Sequence, residues 1–152
     1  MRIIIFTHPD GGLSVVHPVR NTHGETLETD AEIAQRAWDR LPADAINPRW
    51  ADASEIPADR TFRNAWEDDA GGLKVNMTKA REIHRTKLRE LRKPKMEALD
   101  VAYMRADEIG DTAEKQRIAV QKQALRNVTA DPAIEIAKTP EDLKVILLDF
   151  LK

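Results

Sequence analysis

The chain has 152 residues, 24 Lys and Arg against 26 Asp and Glu, a formal net charge of −2 and no cysteine, which excludes a disulfide scaffold. That charge balance also argues against a polyanion binder that uses its whole surface. The longest apolar runs, Ile3–Phe6 and Val145–Leu148, fall far short of the roughly 20 residues a membrane span needs, and the opening run has no secretory character, so a soluble cytosolic protein is expected.

Arg2–Phe6, then Pro9-Asp10-Gly11-Gly12, then Leu13–Val16 read as strand, turn and strand, a β-hairpin in which His17 is expected opposite Ile4. Thr29 or Asp30 caps a predicted helix whose residues Ile33, Ala34, Ala37, Trp38 and Leu41 form one apolar stripe, and Pro42 ends it. From Asn47 to Asp69 no period is sustained, and Pro48 and Pro57 interrupt the chain. Short strands or turns are expected there, pinned by an aromatic cluster of Trp50, Phe62 and Trp66 that forms the core, with Arg60 and Arg63 around it. Gly71-Gly72 turns the chain into a last short strand, Leu73–Val75.

After an expected cap at Asn76 the texture becomes helical, with no glycine until Gly110. Pro94 lies inside this long helix, where a kink or break is expected. Gly110-Asp111-Thr112 ends it and starts a second helix carrying Ile118, Leu125 and Val128, so the two form an antiparallel helical hairpin. Asp131-Pro132 opens a further helical turn, and Thr139-Pro140-Glu141-Asp142 starts a final helix with Leu143, Ile146, Leu147 and Phe150. The predicted fold is α+β: a small sheet with a β-hairpin and one helix over 1–76, then a helical hairpin and short terminal helices over 77–152. Five of the seven Phe, Trp and Tyr residues lie in the first 66 residues. The halves also differ in charge, with 8 basic and 13 acidic side chains in 1–76 and 16 and 13 in 77–152.

Little in this pattern points to covalent chemistry. The four histidines, His8, His17, His23 and His84, have no cysteine to join them and no metal-ligand spacing, so no metal or other cofactor is expected. Ser14 lies within a strand and Ser54 in a turn, neither of them the setting of a nucleophile. The glycines lack phosphate-loop spacing. Glu67-Asp68-Asp69 reads as a solvated turn before it reads as a cation site. A non-enzymatic role follows.

The densest feature is basic. Between Lys79 and Lys95 eight Lys and Arg face Glu82 and Glu90, a local charge of +6. Arg81, Arg85, Arg89, Arg92 and Lys95 are the candidate contact residues for an acidic protein partner. A solvated helix whose basic stems cover Ile83, Leu88 and Leu91 is the plainer reading of the same segment, and nucleic acid the less favoured one.

Ile56-Pro57-Ala58-Asp59-Arg60-Thr61-Phe62-Arg63-Asn64-Ala65-Trp66 resembles a stretch in small phage proteins encoded near tail genes. Gln121–Ala130 is similar to a helix near the C-termini of tail-fibre assembly chaperones, with Asn127 and Val128 where those carry Asp and Ile. The resemblance implies a phage-encoded accessory protein, tail-associated or a tail assembly chaperone, that acts by protein–protein contact in the host cytoplasm or on the virion. An inhibitor of a host defence complex, similar to anti-CRISPR proteins, is the alternative, followed by nucleic-acid binding through residues 79–95.

Overall fold

The computed structural model describes residues 2–20, 28–69 and 72–151 and divides into two units, 1–76 and 77–152. The fold is α+β, with antiparallel strands in the first unit and helices filling the second. His23 and Gly71 lie outside the described residues.

The first unit is built around strand β1 (Arg2–Thr7), which pairs with β2 (Leu13–Val16) on one side and β3 (Ile46–Asp52) on the other. Ile3, Ile4 and Ile5 are all fully buried. A strand covered on both faces reads as a continuous apolar run, and burying each such side chain contributes about 1.5–3 kcal/mol. On one face Ile3, Ile5 and Ala51 form a cluster joined by Leu13, Val15, Ile56 and Leu73. Leu73 belongs to β5 (Gly72–Val75), which pairs with β4 (Trp66–Asp69) as a separate hairpin.

The β1–β2 loop spans residues 8–12, where Gly11 takes a φ of 81° and Asp10 accepts the Gly12 amide at 2.8 Å. This loop is centred on Asp10, so Ile4 pairs with Val16 and not, as expected, with His17. Helix α1 (Asp30–Asp39) starts in a capping box: Thr29 Oγ1 accepts the Glu32 amide, and the Glu32 carboxylate accepts the Thr29 amide at 2.7 Å.

Two expectations for this unit need correction. Residues 46–52 form one seven-residue strand. Its alternation is hidden because Asn47 and Pro48 bulge opposite Phe6, with Asn47 in the left-handed region at φ 48°. The aromatic trio also divides. Phe62 and Trp66 are buried, but Trp50 is half-exposed. Ala51 faces the Ile3 and Ile5 side, so strand alternation turns Trp50 the other way, where its ring stacks on Trp38 of α1 at 5.7 Å.

In the second unit, helix α2 (Met77–Glu108) runs for 32 residues, about 48 Å, and passes through Pro94 without a break. Pro94 is solvent-exposed, and on that side water can satisfy the carbonyl that the missing amide leaves free. The helix ends in a Schellman motif: Gly110 takes a φ of 70°, its amide donates to Asp107 O at 3.0 Å, and the Asp111 amide donates to Ala106 O at 2.8 Å. Asp111 then caps α3 (Thr112–Asn127), which packs along α2 as the predicted hairpin. Val128 falls in a 3-10 turn, Val128–Ala130, beyond that helix. Asp131 caps α4 (Pro132–Ile136), and the Asp142 carboxylate accepts the Lys138 and Thr139 amides at the start of α5 (Pro140–Leu151). Leu88, Ile118, Ile134 and Leu143 are buried, one from each helix.

Candidate functional site

The basic face of α2 is the strongest sequence feature, and its residues separate by helical phase. Arg81, Arg85 and Arg92 fall within roughly 40° of one another around the axis, at 100° per residue. All three reach backbone carbonyls in their own unit. Arg81 donates from Nε to Ile134 O at 3.1 Å and from Nη2 to Ala137 O at 2.9 Å, at the end of α4. Arg85 donates to Thr129 O at 3.3 Å and pairs with Glu135 and Glu82. Arg92 Nη1 donates to Leu125 O and Arg126 O, 3.4 and 3.2 Å away, at the end of α3. The last carbonyls of a helix have no intrahelical donors and carry the negative end of its dipole, so these guanidiniums satisfy them in both respects. The hydrogen bond to Glu135 holds the Arg85 guanidinium above its ordinary pKa, fully charged.

Lys95 lies on the other flank of the helix. Its Nζ donates to Phe150 O at 3.3 Å and sits 4.6 Å from the Phe150 ring centre. Arg89 differs from the other four candidates: it is exposed and its side chain makes neither a hydrogen bond nor an ion pair among the described residues. It lines an open groove of about 440 Å³ with Arg92, Lys93, Met96 and Arg126. Arg126 comes from α3, some thirty residues further along the chain, and only the packing of the hairpin reveals it as a member of this group.

The first unit brings together two sets of polar residues. His8 Nε2 lies 2.7 Å from Ser14 Oγ, across the first hairpin, and the His8 ring packs on Phe6 at 4.9 Å. Sequence order hid this pair, because the five-residue loop brings residues 8 and 14 diagonally together on one face. Among the described residues no carboxylate holds the other ring nitrogen of His8, so the arrangement lacks the orienting member of a catalytic triad. The three carboxylates of β4 are occupied. Asp68 accepts the Arg49 guanidinium at 2.7 and 2.8 Å, Asp69 pairs with Lys74, and Glu67 accepts from the Asn76 side-chain Nδ2 at 2.8 Å. Arg49 also binds Glu55, and that bond holds the Glu55 carboxyl below its ordinary pKa. Among the described residues no group of three His, Asp or Glu converges as a metal site.

Beneath α1, an open groove of about 1000 Å³ is lined by Arg2, Ile33, Ala34, Trp38 and Trp50. The Arg2 guanidinium lies 5.2 Å from the Trp50 ring centre and Trp50 lies on Trp38, so cation and two rings form one stack. In the second unit, His84 is buried in α2 and its Nε2 has no hydrogen-bond partner among the described residues. Desolvation, with Arg85 and Lys87 nearby, lowers its pKa and keeps the ring neutral.

No helix among the described residues is long and apolar enough to cross a membrane. Comparison with protein families, with curated proteins and with solved structures finds no match to this chain. The likeness to tail-associated phage proteins therefore rests on residues 56–66 and 121–130 alone. The first of these segments is structural in this chain. Asp59 accepts the Thr61 amide and hydroxyl at 2.9 and 2.6 Å, and Phe62, Ala65 and Trp66 are core residues. The second ends at the basic groove, with Leu125 half-buried and Arg126 exposed.

Proposed function

We propose that the chain is a protein-binding accessory protein of the tail-assembly kind, with the α2–α3 hairpin as its contact element. The observation that carries this reading is the number of exposed apolar side chains on the hairpin. Val101, Met104, Ile109 and Val120 are 48, 63, 79 and 60% exposed, half of the large apolar side chains left open to solvent among the described residues. Exposed apolar side chains gathered on one element are the usual material of a protein contact, although single ones are common on any surface. The hairpin is also held firmly enough to present them. Ile118 and Ala106 are buried, and Lys115 and Lys122 both approach the Tyr103 ring at 5.5 Å while pairing with Asp107 and Asp100. The phage context comes from the resemblance.

The test is affinity capture from a phage-infected lysate, comparing the wild type with M104E/V120E, in which two exposed positions become charged. A virion component retained by the wild type and lost with the double variant is the expected result. Equal recovery by both, or recovery of no virion component, refutes the reading.

A further inference from the structure

Resting on the protein-binding reading, we infer that the groove between α2 and α3 lined by Arg89, Arg92, Lys93, Met96 and Arg126 receives an acidic peptide segment of the partner. The charge pattern is the first ground. Cations elsewhere in this protein are commonly paired: Arg36 with Glu28, Arg49 with Glu55 and Asp68, Arg117 with Glu114. Arg89, Arg92, Lys93 and Arg126 converge from two helices with no acidic residue in the lining, and none of them makes an ion pair among the described residues. Four neighbouring like charges repel one another, and an anion seated among them relieves that cost.

Preorganisation is the second ground. Arg92 is already fixed by the two carbonyls that end α3, so its remaining donors meet a ligand without the full loss of side-chain freedom. The phase of α2 turns Arg89 and Lys93 outward beside it, and Met96 supplies an adaptable apolar surface for a side chain lying between carboxylates.

The same features favour a peptide over nucleic acid. No aromatic residue lines the groove to stack a base, and the cationic residues that α2 contributes to its lining span only residues 89–93, about 6 Å of helix. Glu90 and Glu97 stand exposed on the same helix, and the net charge of −2 provides no broad field for a polyphosphate chain.

Fluorescence anisotropy on the full chain tests the proposal. The probes are a fluorescein-labelled peptide of alternating Glu and Leu, the same peptide with Gln for Glu, and a single-stranded oligothymidylate. The acidic peptide is expected to bind and to weaken as salt rises. R89E/R126E, at two exposed positions, is expected to weaken it about tenfold, the size of two lost pairs plus repulsion, and R89K/R126K much less. Circular dichroism checks that each variant is folded. Equal binding of the Gln peptide, tighter binding of the oligonucleotide, or no effect of R89E/R126E overturns the proposal. Its failure is separable from that of the broader reading: a virion component captured equally by wild type and R89E/R126E, yet lost with M104E/V120E, sinks the groove alone.

Discussion

Replacing Arg81 by Met tests whether the arginine stripe of α2 holds the helical unit together. Methionine keeps an unbranched stem of similar reach and removes only the guanidinium. Two hydrogen bonds are lost, to Ile134 O at 3.1 Å and Ala137 O at 2.9 Å. A bond to a charged donor contributes about 1.5–3 kcal/mol where water is absent. Arg81 is half-buried, so water can replace part of each bond, and about 1 kcal/mol apiece, or about 2 kcal/mol in total, is expected. The measurement is guanidinium unfolding followed at 222 nm, where α2 to α5 supply most of the signal. The midpoint should fall at unchanged slope, and R81K, which keeps a charge but not the planar fork, should lie between Met and wild type. If R81M comes within about 0.5 kcal/mol of the wild type, the ordinary spread for surface substitutions, the stripe is not a clasp.

Two further changes probe the same unit. Nothing lies near a Cβ built on Gly110, so G110A should cost about 1 kcal/mol from backbone strain at φ 70° alone, read from the same unfolding curve, and a neutral effect would refute the Schellman ending. His84 is buried and its pKa is lowered, so the unfolded chain binds its proton more readily than the folded one. Stability should therefore fall as pH drops below about 6.5, and the thermal midpoint of H84L should depend less on pH between 7 and 5.5. Parallel pH profiles for the two proteins would refute this.

Where local signals agreed, the sequence was readable. The run of Ile3 to Ile5, the Thr29 cap, Gly110 with Asp111, and Asp131 with Pro132 each fix a backbone feature from neighbouring residues. What stayed hidden depended on contacts distant in sequence. The bulge at Asn47 and Pro48 erased the alternation that would have announced β3 and revealed that Trp50 points away from Ala51. Pro94 reads as a breaker, yet an exposed proline within a long helix loses one hydrogen bond on a side that water can reach. At the candidate site, charge density marked the right segment of α2 but gave no sign that Arg81, Arg85 and Arg92 bind their own chain. Nor did it show that Arg126 stands across from Arg89.

The bulge of β3 has a consequence for how copies of the molecule behave at high concentration. β3 is one of the two outer strands of its sheet, and a bare outer strand is a template on which a second chain can build. Pro48 offers no amide to such a visitor, and the left-handed turn at Asn47 spoils the straight row of groups it would need. The irregularity that obscures the strand in the sequence thus guards that rim against fibril growth.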